Sequence, residues 1–345
     1  MNTTVRFSAR LLQPTLTAAV LCLAMLLGCG GGSGEKAAVL AGGGFKVALL
    51  SPGPVSDAGW NAAAYDGLLK IKSDLGATIG QVETKTPPEF EAGFRDFAAQ
   101  GYNLVFGHGF EFQDAAAKVG AEFPRTVFIT TSGSTVKSNV SPMVFRLEEA
   151  TYLLGMTAAL MSKSGKAALV GGVEIPSVSS TFLAFEAGAH AVKPEMQITR
   201  TFIGSWDDVS AAKEAASAAM RQSADFIFHN ADAAGIGVFR AVEEASTPEH
   251  VVYAFGANKD QAPVAPKVVL ASAVLDIPRA FVLVAGEVKS GTFKPAILEL
   301  GMKDGIVSLA WNPALEAQVP AEVKAKVELA RHQILDGTLA VPKGF

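Results

Sequence analysis

Short apolar runs alternate with amphipathic stretches from Phe45 onward, and this alternation limits the possible fold more than any other feature of the chain. Residues 45–50 form an apolar run that predicts a buried strand, and residues 60–75 carry their large apolar side chains at helical spacing. Strands that alternate with helices in this way favour parallel sheets with right-handed crossovers. Further strands are predicted at residues 77–82, 104–106, 127–129, 166–170, 197–203, 226–228 and 251–255, and further helices at 90–100, 115–123, 148–162, 182–192, 208–222 and 235–244.

The alternation starts afresh at the long apolar helix predicted for residues 148–162. Two successive series of strands and helices indicate an α/β protein with two doubly wound, parallel-sheet lobes. Ligands of such sheets bind in the crevice outside the carboxyl ends of the strands. We therefore expect a ligand site in the cleft between the two lobes.

Polar and aromatic side chains are concentrated in the loops that follow the predicted strands. Loop residues on a rigid scaffold often carry function. The candidate ligand-binding residues from these loops are Asp57, Trp60, Asn61, His108, Phe110, Trp206, Asp232, Asn258, Asp260 and Asp276. Glu111, Phe112, Glu174, Ser177, Asp207, Asp208, His229, Asn230 and Lys259 lie in the same loops.

The first 28 residues have the composition of an export signal. Arg6 and Arg10 precede an apolar run at residues 16–27, which is too short for a confident membrane span. Leu26-Leu27-Gly28-Cys29 resembles the bacterial lipobox, in which the cysteine is lipidated and becomes the new N-terminus. An ordinary signal peptide with an incidental cysteine is the alternative. Residues 29–44 are rich in glycine and are expected to form a flexible tether.

Cysteine count and charge exclude some classes of protein. The only other cysteine, Cys22, lies in the predicted signal, so the mature chain cannot form an internal disulfide. The formal net charge of −4 becomes more negative once the signal is removed, which argues against a nucleic-acid partner. The length of 345 residues predicts two domains or one large one, and no second apolar span is present.

A series of short motifs occurs in order along the chain. They lie at residues 45–50, 53–54, 57–61, 67, 138–140, 152–156, 165–172, 182–189, 204–208, 224–228, 235–237 and 291–293. Together they resemble the basic membrane protein (BMP) family, whose members are ABC-transporter substrate-binding lipoproteins of the purine nucleoside receptor type. The resemblance covers residues 45–303.

The resemblance implies a type I periplasmic-binding-protein fold with two lobes, three crossing segments and a cleft between them. It also implies a purine-type ligand, and an ABC permease and ATPase as partners. In the family an aromatic ring stacks on the purine, and Trp60 occupies that position here. Trp206 is expected to supply the second ring, Asn61 to bind the base edge and Asp57 to lie close by. Flat rings do bind well to aromatic faces, and a few polar groups then fix their orientation.

The strand and helix pattern and the family resemblance together predict how the chain is divided into segments and lobes. After a signal at residues 1–28 and a tether at 29–44, the N-terminal lobe comprises residues 45–148 and about 276–306. The C-terminal lobe comprises residues 149–275 and about 307–345. The protein is expected to be exported, monomeric and held by its lipid at the periplasmic face or the cell surface.

Two positions depart from the family pattern near the expected ribose site. Many family members carry two aspartates after the strand that ends here at Phe255, whereas this chain has Asn258 and then Asp260. Leu275, followed by Asp276, stands where the family often has a lysine. An altered sugar pocket leaves both a purine nucleoside and a free purine base open as the ligand.

Catalytic and cofactor motifs are absent from the sequence. The five histidines lack metal-ligand spacing, and no Walker A, Gly-x-Ser-x-Gly or Gly-x-Gly-x-x-Gly motif is present. We therefore expect a binding protein without cofactor or metal rather than an enzyme. Asp208 is expected to cap a helix rather than to act in acid–base chemistry. A membrane-anchored sensor of the same fold and a secreted nucleoside hydrolase are the alternatives.

Overall fold

The computed structural model describes residues 44–57 and 59–344. The predicted signal, Cys29 and nearly all of the glycine-rich tether lie outside the described residues. Within the described part of the chain, no helix is long and apolar enough to cross a membrane.

Twelve strands and nine α-helices make up the described residues. The strands are β1 (Lys46–Ser51), β2 (Thr78–Glu83), β3 (Leu104–Gly107), β4 (Val127–Thr131), β5 (Val140–Phe145), β6 (Lys166–Gly171), β7 (Gln197–Phe202), β8 (Phe226–Asn230), β9 (Tyr253–Asn258), β10 (Val269–Leu275), β11 (Leu298–Leu300) and β12 (Val307–Trp311). The helices are α1 (Trp60–Leu75), α2 (Pro87–Ala99), α3 (Gln113–Glu122), α4 (Glu148–Met161), α5 (Pro176–Val192), α6 (Val209–Arg221), α7 (Gly235–Ala245), α8 (Ile277–Ser290) and α9 (Ala321–Asp336).

The strands form two six-stranded sheets, with the orders β11-β5-β4-β3-β1-β2 and β12-β10-β9-β8-β6-β7. All neighbouring strands are parallel except β10 and β12, which are antiparallel. The chain passes between the sheets three times, after β5, after β10 and after β11. These observations confirm the predicted α/β architecture of two parallel-dominated sheets with three crossings.

Local sequence signals explain where several helices begin. Thr86 and Glu89 form a capping box at the start of α2, with Pro87 in its first turn. The Asp208 carboxylate accepts a hydrogen bond from the backbone N–H of Ala211, at 2.9 Å, and caps α6. The predicted capping role of Asp208 is therefore confirmed.

The central strands are fully buried between helices, and one helix is buried almost all round. Twelve of the 14 residues of α4 are buried, and the closest approach is to α5. A Cβ added at Gly155 of α4 would lie 2.7 Å from the carbonyl carbon of Phe185, and one at Gly188 of α5 would lie 2.8 Å from that of Tyr152. The two backbones can meet this closely only because each helix presents a glycine to the other.

Polar contacts join the first and third crossing segments. Arg146 contacts the carboxylates of Glu148 and Glu149, at 3.2 and 3.3 Å. The second oxygen of Glu149 accepts a hydrogen bond from the backbone N–H of Met302, at 2.6 Å. Burial raises the pKa of both glutamates. These contacts hold together the first and third crossing segments, which a hinge between the sheets would use.

Candidate functional site

A cavity of about 60 Å³ lies where the carboxyl ends of the two sheets face each other. Its wall comes from the loops or ends of nine parallel strands, as expected for a ligand site in such sheets. The lining residues are Pro52, Trp60, Gly109, Phe110, Glu111, Ser132, Phe145, Leu147, Ile175, Ser177, Val178, Trp206, Asn230, Asp232, Asn258 and Leu275. Five of the ten predicted ligand-binding residues are among them: Trp60, Phe110, Trp206, Asp232 and Asn258.

Trp60 begins α1 and brings its indole to the cavity from the side of the first sheet. One face of the ring is stacked on the imidazole of His108, with centroids 4.0 Å apart and planes 21° from parallel. The ring of Phe145 meets it edge-on at 6.0 Å. The indole is thus fixed from behind and from one side.

His108 does not line the cavity, which corrects its predicted place among the ligand contacts. It is fully buried behind Trp60, and its Nε2 lies 3.0 Å from the backbone oxygen of Trp60. Because a carbonyl oxygen only accepts, Nε2 carries the proton and Nδ1 accepts from the Thr131 hydroxyl at 3.3 Å. Burial lowers the pKa of His108 to about 3, so the ring is neutral and supports the indole.

Trp206 brings the second indole to the cavity from the loop after β7. It rests on the backbone of Gly172, where a Cβ would lie 2.5 Å from Cζ3 of the indole. Gly172 follows β6 directly, so a central strand of the second sheet supports this ring. The two tryptophans therefore approach one cavity from opposite sheets.

Asp57 lies beside the cavity but uses its carboxylate to hold the start of α1. It accepts hydrogen bonds from the backbone N–H groups of Gly59, Asn61 and Ala62, at 2.8–3.0 Å. It also accepts one from the side-chain amide of Asn61, at 2.9 Å. Four donors fill the capacity of a carboxylate, so Asp57 positions Trp60 and Asn61 instead of offering an oxygen to a ligand.

Asn61 presents an acceptor without a partner. Its Nδ2 is committed to Asp57, and its Oδ1 is buried with no hydrogen-bond partner among the described residues. The side chain lines an adjoining chamber of about 290 Å³, which shares Pro52, Trp206 and Asp232 with the cavity. A buried acceptor that lacks a donor costs about 1–3 kcal/mol unless a ligand or water satisfies it.

Two carboxyl groups of the cavity wall have raised pKa values. Burial raises the pKa of Asp232 well above its ordinary value, and the charges of Asp57 and Glu111 raise it further. The accessible surface of Asp232 opens onto the cavity and the chamber, both of which it lines. Desolvation also raises the pKa of Glu111, whose carboxylate folds back over Gly109.

Strained backbone is concentrated at the same place. Ser132, Asp232 and Asn258 line the cavity and have positive φ angles of 65°, 46° and 69°. Among the non-glycine residues that the structure describes, Ser223 alone adopts a positive φ elsewhere. Such conformations cost about 1–3 kcal/mol each and are found most often at binding and switch sites.

Asp260 and Asp276 lie away from the cavity, which corrects their predicted placement. Both are exposed. Asp260 accepts from the backbone N–H of Ala262 in its own turn, and Asp276 caps α8 by accepting from that of Arg279, each at 3.0 Å. Leu275, the residue before Asp276, does line the cavity.

Several lining residues were not among the predicted ligand contacts. Glu111, Ser177 and Asn230 come shortly after strands predicted from the sequence, so the sequence indicates their position but not their role. Phe145 is the last residue of β5, a strand that the sequence pattern does not reveal, and Ser132 directly follows β4. Within residues 44–57 and 59–344 there is no cluster of three or more side chains suited to hold a metal ion.

The chain is similar to members of one known protein family. The model of a family described as ABC transporter substrate-binding protein PnrA-like (Bmp) matches residues 45–343. Basic membrane protein A of Borreliella afzelii is 28% identical over 322 residues, which cover 92% of this chain and 95% of that protein. The ABC transporter nucleoside-binding protein BmpA of Lactococcus lactis is 26% identical, covering 94% and 96% respectively.

The fold recurs in a solved structure. The crystal structure of an ABC transporter solute-binding protein from Aeropyrum pernix K1 superposes with a TM-score of 0.78 and covers 86% of this chain and 94% of that one. The sequence identity of that pair is 21%, so the likeness concerns the fold alone.

Proposed function

The chain belongs to the Bmp family of PnrA-like ABC transporter substrate-binding proteins, and we propose that it binds a purine base or nucleoside and delivers it to an ABC permease and ATPase. The observation that carries the proposal is the pair of tryptophans, Trp60 and Trp206, on the wall of one cavity. Each has its own support, His108 for the first and Gly172 for the second.

A planar ring system suits this arrangement. Two indoles that are already held in place lose little conformational freedom when a flat ring enters between them. A base stacked on an aromatic side chain gains about 1–3 kcal/mol for each stack. The polar lining residues Asn230, Asp232 and Asn258 would then fix the orientation of the ring edges.

We expect the site to accept a free base at least as readily as a nucleoside. Asn258 and Leu275, the two departures from the family pattern near the ribose, both line it. An amide and an aliphatic side chain there replace an anion and a cation that would hold ribose hydroxyls. We therefore expect free bases to compete with nucleosides on equal terms.

Ligand binding is proposed to close the two lobes about the three crossing segments. The lobes in this proposal comprise residues 45–148 with about 276–306, and 149–275 with about 307–345. Lys259, which follows β9, lies 2.9 Å from Asp66 on α1, and this ion pair joins the two proposed lobes.

Export and lipid attachment at Cys29 complete the proposal. A monomeric binding domain on a glycine-rich tether would stay within reach of a membrane permease. Cys29→Ala is expected to release the protein from the membrane fraction and to abolish incorporation of a labelled fatty acid. Labelled Cys29→Ala protein would refute attachment at this residue.

Mass spectrometry of small molecules released on denaturation, followed by isothermal titration with bases and nucleosides, tests the proposed ligand. Trp60→Ala should raise the dissociation constant about fivefold to 150-fold, because one stack of about 1–3 kcal/mol is lost. Trp311→Ala is the matched control, since this third tryptophan lies on β12 outside the cavity wall. The absence of binding across the whole panel would refute the proposal.

A further inference from the structure

The polar wall of the site consists mainly of hydrogen-bond acceptors, and we propose that the protein selects flat bases bearing exocyclic amino groups over bases bearing only carbonyl groups. The inference rests on the proposed function, which it narrows to amino-substituted bases of the aminopurine kind. Its basis is the set of acceptors at the cavity and the adjoining chamber, together with the lack of cations on the cavity wall.

Asp232 and Glu111 are carboxylates with unused hydrogen-bonding capacity. The one side-chain donor found on Asp232 among the described residues is Nδ2 of Asn258, at a long 3.4 Å. The cavity lining contains no lysine, arginine or histidine. Within the described part of the chain, neither carboxylate forms a salt bridge. Donors on a ligand that enters the cavity would fill this unused capacity.

Asn61 adds a third acceptor to the same side of the site. Its Oδ1 is buried without a partner, and its side chain is 5% exposed and fixed in orientation by Asp57. Asn61 and Asp232 line the same chamber next to the cavity. An edge that projects from a ring stacked on Trp206, which lines both spaces, would meet these two acceptors.

Exocyclic amino groups can donate hydrogen bonds to the acceptors of this wall, whereas carbonyl groups cannot. An amino group beside a ring N–H offers parallel donors to the two oxygens of a carboxylate, a pairing that is both strong and directional. A carbonyl group in the same place would set its lone pairs against those of the ionised carboxylate. Sites built to bond a polar substituent strongly reject analogues that lack it. Anionic rings and phosphorylated nucleosides would also find no cation on the cavity wall.

The raised pKa of Asp232 gives the proposed pairing a measurable consequence, a change in bound protons when the ligand binds. Burial raises its pKa, the charges of Asp57 and Glu111 raise it further, and Lys85 and Asp207 line the chamber that it shares. Donors on the ligand stabilise the ionised carboxylate, so binding of an amino base should release a proton. A base that accepts from the protonated carboxyl would retain that proton.

Titration of the full chain with matched pairs of bases tests the inference. We expect guanine to bind at least tenfold more tightly than hypoxanthine, which lacks only the 2-amino group, and 2,6-diaminopurine to bind more tightly than purine. Equal affinities within both pairs would overturn the inference while leaving the proposed function intact. Failure of every base to bind would overturn both.

Asp232→Asn provides an independent test. Asparagine keeps the size of the side chain and tolerates the positive φ of this position, but replaces one acceptor by a donor. We expect it to remove the preference for guanine over hypoxanthine. Asp260→Asn, an exposed carboxylate away from the cavity, is the matched control and should keep the preference. An Asp232→Asn protein that folds and retains the wild-type preference would also overturn the inference.

Discussion

Gly172→Ala isolates the contribution of the Trp206 indole to binding. The added Cβ would lie 2.5 Å from Cζ3 of Trp206 and 3.0 Å from the backbone oxygen of Ser205, so the ring and its loop must move away from β6. If the displaced indole no longer covers the ligand, one stack of about 1–3 kcal/mol is lost. That loss corresponds to a rise in the dissociation constant of about fivefold to 150-fold.

The assay is isothermal titration, with thermal unfolding of the ligand-free protein measured alongside. The matched control is Gly286→Ala within α8, where an added Cβ meets nothing within 4 Å. Alanine favours a helix interior over glycine by up to about 1 kcal/mol, so this variant should keep its affinity and melt at the same or a slightly higher temperature. A Gly172→Ala protein that binds as tightly as the wild type would refute the supporting role of Gly172.

Three further predictions follow from other contacts. Gly155→Ala should lower the free energy of unfolding by about 1–3 kcal/mol, visible in thermal unfolding, because the added Cβ meets the backbone of Phe185; an unchanged melting temperature would contradict this. Asp66→Asn should weaken ligand binding about twofold to fivefold and make the affinity less dependent on salt, since the ion pair with Lys259 is exposed. Unchanged affinity in low salt would show that this ion pair does not contribute to lobe closure. Binding of an amino base should tighten as pH rises toward the raised pKa of Asp232, because the ligand favours the ionised carboxylate; titrations at several pH values that show no trend would contradict it.

The alternation of strands and helices predicted the architecture, but β5, β10 and the two late edge strands were not recognised as strands. Ser141 and Pro142 give β5 the appearance of a turn, since proline interrupts most sheets. Pro142 is accommodated because β11 pairs only with the part of β5 that begins at Met143. The three residues of β11 are too few for any periodic pattern. These strands therefore form because they pair with neighbouring strands, and the local sequence does not reveal that pairing.

The aromatic residues of the site can be predicted from the sequence more readily than the residues that support them. Trp60 begins the helix after β1 and Trp206 lies in the loop after β7, and the topology alone brings the segments that follow parallel strands together. The stacking of His108 behind Trp60 depends on the register between β1 and β3, which the sequence does not reveal. A histidine that ends a strand can face either the ligand or the core, and here it faces the core.

Aspartates proved the hardest residues to assign, because the same residue type caps a turn and binds a ligand. Asp57, Asp260 and Asp276 all bond to backbone N–H groups within five residues, and these donors depend on local turn geometry. Asp232 has no such backbone partner among the described residues and receives only the long bond from Asn258. A carboxylate has room for about four donors. The unused capacity of Asp232, rather than its position in a loop, therefore distinguishes it as the acidic residue on which the donors of a ligand should converge.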